Sequence, residues 1–190
     1  MADSDGLVTG EDGLRRCAWH GNLLDYRRYH DEEWGRPVAD DIRLFEKLCL
    51  EGFQSGLSWL TILRKRPAFR RAFADFRPDV VAKFVAGDVD RLLADPSIVR
   101  NRRKIEAAVG NAQAALEISE GLSALVWSYA PDTHPAPRSM SEVPAWTPES
   151  RALARDLKRR GVRFVGPTTA YALMQACGLV NDHLAGCIRR

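Results

Sequence analysis

Apolar positions along this chain recur three and four residues apart in one segment after another, the period of a helix that buries one face. The pattern runs through DIRLFEKLCLEG (41–52), SGLSWLTILRKR (55–66), PAFRRAFADF (67–76), PDVVAKFVA (78–86), DVDRLLAD (88–95), RKIEAAVGNAQAALEIS (103–119) and LSALVWSYA (122–130). Strict alternation, the mark of a half-buried strand, is nearly absent. Pro67 and Pro78 fall where a first helical turn tolerates proline, and Asp40, Asp88 and Ser150 are suited to cap helix N-termini. The reading is an all-α fold.

Two stretches escape the pattern. Residues 1–16 mix Gly, Asp and Glu without an apolar period and read as a flexible N-terminal tail, with the folded domain over 17–190. Residues 129–148, YAPDTHPAPRSMSEVPAWTP, hold several prolines and no period, and read as a long surface connection between a central helical block and a C-terminal helix pair.

Composition narrows the classes. An apolar share of 45% over 190 residues is enough for a packed core without disulfides. The N-terminus MADSDGLVTG is acidic and polar, unlike a secretory leader, so the four cysteines imply a reducing, cytoplasmic setting. No apolar run approaches the ~20 residues that cross a bilayer, so no membrane partner is expected, and a monomer is the default. Net charge is only +3, but basic residues cluster in RKRPAFRR (64–71), RNRRK (100–104) and KRRGVR (158–163). Such clusters suit a phosphate-facing surface, and equally a solvated helix face.

The C-terminal pair, at about 150–177, carries a more specific signal. A helix through ESRALARDLKRR ends at Gly161, the turn VRFVG follows, and a second helix starts with Gly166 at its cap and Pro167 at its first position. Amides at such a start, helped by the helix dipole, attract phosphate, so Gly166, Thr168, Thr169 and the neighbouring Arg163 are candidate phosphate contacts. A plain αα-hairpin with a tight Gly-Pro turn fits the same residues.

Four further residues point to a metal. Cys17 and His30 lie near one chain end, His183 and Cys187 near the other, and HLAGC on a helix would project its His and Cys from one face. Zinc would close such a Cys2His2 set tetrahedrally and leave no place for a reacting water. Two isolated cysteines and two ordinary histidines are the other reading. Cys49 and Cys177 sit inside apolar runs and read as core.

The wider sequence settles a resemblance. RFVGPTTA (163–170) followed by VNDH (180–183) is similar to the helix-hairpin-helix motif of DNA glycosylases, usually LPGVGRKTA then VDTH. CAWHGNLLDYRRYHDEEWG (17–35), LEGFQSGLSWLTIL (50–63) and YALMQACGLVNDHLAGC (171–187) resemble the 3-methyladenine DNA glycosylase I family, in register from about Arg16 to the end of the chain. The resemblance implies one structural zinc ion per chain, held by Cys17, His30, His183 and Cys187 and joining the two chain ends. It implies double-stranded alkylated DNA as partner and release of free 3-methyladenine, leaving an abasic site. The alternative is a non-catalytic, zinc-containing helix-hairpin-helix module that only binds DNA.

Two departures from the wider superfamily bear on the chemistry. Thr168 stands where bifunctional members carry a lysine, so no amine is offered for a Schiff base, and Asn181 stands where most members place an aspartate. The expected enzyme is therefore monofunctional and relies on the weak glycosidic bond of its substrate.

Glu51 closes an apolar helix where its charge opposes the helix dipole, at a cost of about 0.3–1 kcal/mol unless something compensates. One reading pairs it with Lys47 a turn earlier. The other sets it in a pocket with Tyr26, Tyr29, Trp59 and Trp19, where a carboxylate and electron-rich rings would favour a cationic methylated base over neutral adenine. The resemblance assigns the glutamate to base recognition. A part in the chemistry itself stays open at this level, and Trp34 reads as structural.

Overall fold

The computed structural model describes residues 6–21 and 23–190. Nine α-helices dominate it: α1 Leu24–Glu32, α2 Asp41–Gln54, α3 Trp59–Ala72, α4 Pro78–Val81, α5 Ala86–Ala94, α6 Arg102–Leu116, α7 Leu122–Trp127, α8 Pro148–Arg159 and α9 Pro167–Ala176. None of the described helices is long and apolar enough to cross a membrane.

The one sheet among the described residues corrects the tail expected over 1–16. Strands β1 (Leu7–Thr9) and β2 (Arg15–Cys17) pair antiparallel with Leu7 opposite Cys17, and Leu7 is fully buried. Residues 1–5 of that expected tail lie outside the described residues. Three residues per strand are too few to show a periodicity, which is why the hairpin escapes a sequence reading. Leu7, Cys17, Leu184 and Cys187 form a small second core where the two chain ends meet, separate from the main core.

Helix boundaries meet expectation at one candidate cap and differ from it at three places, each for a local reason. Asp40 caps α2 by accepting from Arg43 N, as its residue type suggests. Ser150 is instead the third residue of α8: Thr147 is the cap, and the two exchange bonds in a capping box. Asp88 likewise sits at the third position of α5, reaching back to Val85 N. Pro67 lies inside α3 rather than opening a new helix. An interior proline costs about 3 kcal/mol. Here the helix is anchored on both sides of it, by Arg66 on Glu33 and Arg70 on Glu46.

The run through 67–76 does not stay helical to its end. Ala74, Asp75 and Phe76 all have positive φ, near 50 to 57°. Left-handed L-residues are strained by about 1–2 kcal/mol each, offset here by burying Phe76 in a near-parallel stack on Phe73, centroids 5.5 Å apart.

The main core gathers inward faces of α2, α3, α6, α8 and α9 around Phe45, Phe53, Phe69, Tyr171 and Met174. Gly178, just past α9, has φ of 75°, and a Cβ there would lie 2.5 Å from the Arg36 carbonyl carbon. Only glycine admits that approach. It lets Gly35 N and Val38 N donate to the Gln175 and Cys177 carbonyls, so the end of α9 is pinned to the segment after α1.

Candidate active site

The Cys/His set comes together in the small second core. Sγ of Cys17 and Cys187, Nε2 of His30 and Nδ1 of His183 all lie within 4.8 Å of one another, and all four residues are buried. The two nitrogens are 3.1 Å apart, Cys187 Sγ is 3.5 Å from each, and Cys17 Sγ is 3.8 Å from His183 Nδ1. A tetrahedron with bonds of ~2.3 Å to sulfur and ~2.05 Å to nitrogen has edges of roughly 3.3–3.8 Å, so these distances lie close to what a single bound cation requires.

The surrounding hydrogen bonds fix which way each ligand faces. Asp31 Oδ1 accepts from His30 Nδ1 at 2.8 Å, and the Trp34 carbonyl accepts from His183 Nε2 at 3.1 Å. Each ring therefore turns its lone pair inward. Two lone pairs facing each other at 3.1 Å repel unless a cation lies between them. Leu184 N and Arg189 N donate to the two sulfurs. The hydrogen bond from Cys17 holds the Cys187 thiol below its ordinary range. Cys17, the donor in that bond and buried, is pushed up correspondingly.

HLAGC reaches this geometry without a helix. Residues 181–184 have no regular secondary structure and a turn at Ala185 and Gly186 brings Cys187 back, so the four-residue spacing works through a turn and not through a helical face. Gly35, with φ of 76°, passes so close to His183 that a Cβ would lie 3.2 Å from its ring.

A cavity of about 230 Å³ opens beside this cluster. Tyr26 and Tyr29 from α1, Trp19 from the turn after β2, Glu51 from the last turns of α2 and Trp59 at the start of α3 all line it. The rings form a chain: Trp19 meets Tyr26 edge-on at 4.9 Å, Tyr26 stacks on Tyr29 at 6.4 Å, and Tyr29 tilts against Trp59 at 5.4 Å. Trp34 completes the wall between cavity and cluster, 5.1 Å from Trp19 and 4.7 Å from His183.

Glu51 is 5% exposed, and among the described residues it takes part in no hydrogen bond or ion pair. The pairing with Lys47 weighed from the sequence is not formed. Burial pushes the Glu51 carboxyl up to about 8, with Lys47 pulling weakly the other way. Burial and then the charge of Glu51 push Tyr29 well above the usual phenol range. The indole Nε1–H of Trp59 is buried without an acceptor among the described residues.

Other wall residues carried no signal in the sequence. Met140 and Val143 come from the connection over 129–148, which reads as mere surface loop, and Gln54, Ala172 and Gln175 complete the lining. Hydropathy period marks core faces, and a wall built from a loop and from the polar side of α9 has none to offer.

The second helix of the helical hairpin, α9, contributes Ala172 and Gln175 to this cavity. Gly166 is the N-cap of α9 with Pro167 at the first position, as expected, while Thr168 is exposed and Thr169 half-buried. Arg163 is exposed in the preceding turn, where Asn111 of α6 clamps its backbone, accepting from N at 2.7 Å and donating to O at 3.1 Å. Asn111 is a further positioning residue that the sequence does not reveal. The basic clusters are largely engaged: Arg64, Arg66 and Arg70 pair with Asp25, Glu33 and Glu46, Arg160 pairs with Glu120 and Asp156, and Lys104 points inward.

Asn181 and Asp182 are both occupied structurally. Asn181 Oδ1 accepts from His183 N, and buried Asp182 accepts from Tyr171, Gln175 and His134. Neither is a free carboxylate at the cavity.

Residues 19–190 match the family model described as methyladenine glycosylase. The chain belongs to that family. It is 47% identical over 180 residues to DNA-3-methyladenine glycosylase 1 of Escherichia coli (strain K12), covering 92% of this chain and 96% of that protein. It is 46% identical over 178 residues to DNA-3-methyladenine glycosylase of Haemophilus influenzae, covering 90% of this chain and 96% of that protein. Among solved structures it superimposes, with a TM-score of 0.87 and 38% identity, on a variant of 3-methyladenine DNA glycosylase I in complex with 3-methyladenine. That match covers 92% of this chain and 96% of the other. The mostly helical architecture is thus the family's.

Proposed function

We infer that this protein is a monofunctional DNA-3-methyladenine glycosylase, hydrolysing the bond between a methylated adenine and its sugar in alkylated DNA. The observation that carries the reading is the buried, unpartnered Glu51 carboxyl in a cavity walled by Tyr26, Tyr29, Trp59 and Trp19. The family membership and the names of its relatives accord with it.

The chemistry follows from the charge balance. In the empty cavity burial keeps Glu51 protonated around neutral pH. A base methylated at N3 arrives cationic, which makes the ionised carboxylate favourable and adds cation–π attraction from the rings. Neutral adenine brings no such compensation, so the cavity selects by charge. Once flipped out of the duplex, the base already has a weakened glycosidic bond and leaves as a neutral molecule. Little general-acid assistance is needed, consistent with Asn181 and Asp182 being engaged elsewhere. Thr168 offers no amine, so the reaction ends at an abasic site. Glu51 acts chiefly in recognition.

The remaining parts are supportive. Zinc is the metal that best suits two thiolates and two imidazoles with no open position, and its role is to tie β2 and α1 to the C-terminal segment. The α8–α9 pair serves as a helix-hairpin-helix anchor, with amides at Gly166, Thr168 and Thr169 and the Arg163 side chain on the phosphates. A reducing cytoplasm accords with four cysteines that form no disulfide among the described residues, and a monomer is the default. The domain is taken as 17–190, to which the β1–β2 hairpin adds its own strand pairing.

Incubation with methylated duplex DNA, followed by chromatography of the soluble bases, tests the reading. Free 3-methyladenine with alkali-labile sites left in the strand is expected. A folded, metal-replete protein that binds the duplex and releases no base would instead be the non-catalytic module.

A further inference from the structure

We propose that Gln175 reads the 6-position of the bound base as a hydrogen-bond acceptor, and that Asp182 sets which end of the Gln175 amide faces the cavity. The inference rests on the base-pocket reading above and names a determinant of its specificity.

Asp182 is 2% exposed and accepts three hydrogen bonds, from Tyr171 Oη at 2.7 Å, Gln175 Nε2 at 2.7 Å and His134 Nε2 at 2.8 Å. With Tyr171 and His134 donating to it, the Asp182 carboxylate acts here as an acceptor. Gln175 must therefore turn its NH2 toward Asp182, because the opposite orientation would set two acceptors against each other. Tyr171 and His134 hold the carboxylate from its other sides, so it cannot swing away to accommodate a flipped amide. Gln175 also lines the cavity that holds Glu51, and among the described residues no donor reaches its Oε1.

The consequence is an acceptor fixed in the pocket. Adenine carries an amino group at position 6, a donor that suits it. Guanine carries an oxo group there, which would face a second acceptor and leave both unpaired. A site built to pair with one such group rejects the other more strongly than an apolar wall does. Charge on the methylated ring, read by Glu51, does not separate 3-methyladenine from 3-methylguanine, since both are cationic in DNA. Position 6 separates them, and Asp182 acts on it only through Gln175, as a positioning residue.

The test is the ratio of affinities for free 3-methyladenine and free 3-methylguanine, followed by tryptophan fluorescence on metal-replete protein. Gln175→Met, which leaves Asp182 and the metal cluster in place, is expected to weaken 3-methyladenine at least 5-fold and to narrow the ratio by the same factor. Asp182→Asn, which offers Gln175 an NH2 and so allows its amide to turn, is expected to narrow the ratio further by strengthening 3-methylguanine. A merely structural role would lower the melting temperature and leave the ratio unmoved in both. If Asp182→Asn does not fold, Gln175→Met decides alone: an unchanged ratio in that folded variant overturns the proposal. Glu51→Gln run alongside separates the two levels. If it weakens both bases while Gln175→Met leaves the ratio unchanged, only the Gln175 assignment falls. If neither variant alters either affinity, the pocket reading itself falls.

Discussion

The ring of Trp19 lies 5.2 Å from that of His30, and its other side meets Tyr26 at 4.9 Å. A wall of the cavity thus rests on a member of the Cys/His cluster, and the same cluster holds β2 against the C-terminal segment. Whatever fixes the four ligands also fixes the shape of the pocket.

Metal removal should therefore reach the base site. Dialysis against a strong chelator is expected to lower the melting temperature and weaken binding of 3-methyladenine together, with hydrogen exchange rising first in 7–20 and 181–190. A milder lesion is Asp31→Ala, which removes the acceptor at 2.8 Å from His30 Nδ1 while leaving all four ligands. Losses of about 10–100-fold in metal affinity are typical for such partners, and a competition titration with a chromophoric chelator measures them. Unchanged affinity would mean that Asp31 does not orient the ring.

Glu51 should make stability depend on pH in an unusual direction. Its folded value of about 8 lies above the ordinary 4.5, so the folded state binds its proton more tightly than the unfolded chain does. That contribution is fully present below pH 4.5 and is lost as pH rises through about 8, where keeping a buried charge costs the fold up to about 5 kcal/mol. Glu51→Gln removes the burden. Its melting temperature is expected to exceed the parent's by several degrees at pH 8.5, with the gap closing toward pH 5. A gap independent of pH would show that the carboxyl does not titrate as its burial implies.

Lys104 links the two sides of the pocket. Its Nζ donates to the carbonyls of Phe53 at 2.8 Å and Ser55 at 2.6 Å, capping the end of the helix that carries Glu51 and holding the loop that leads to Trp59. Lys104→Met leaves those buried acceptors unpaired, at about 1–3 kcal/mol. Urea unfolding should register that loss, and single-turnover base release should slow in the fraction that remains folded. A normal rate at reduced stability would confine Lys104 to the scaffold.

The legibility of this protein in its sequence divides along physical lines. Features written as residue type at a fixed spacing were readable: amphipathic periods gave most helices, Gly166-Pro167 gave the start of α9, and the Cys and His positions gave the cluster that the fold assembles. Features that depend on how chain segments meet were not. The β1–β2 hairpin has strands too short for a period, Pro67 is carried inside α3 by ion pairs from other helices, and Lys104 sits in a basic run yet points inward. The same holds at the cavity. Glu51 and the aromatics stand out as oddly placed charge and large rings, whereas Gln175, Met140 and Val143 enter only because α9 and the 129–148 connection fold back over them.

Direct titration of 3-methyladenine, at a pH where the free base is protonated and cationic, into the metal-replete protein and into Glu51→Gln tests the central claim, that the cavity bounded by Glu51 and the aromatic rings is where the damaged base sits. Binding by the parent with quenching of tryptophan emission, weakened about 10-fold or more in Glu51→Gln at unchanged fold and metal content, is the predicted result. Equal affinity in the two proteins would contradict it.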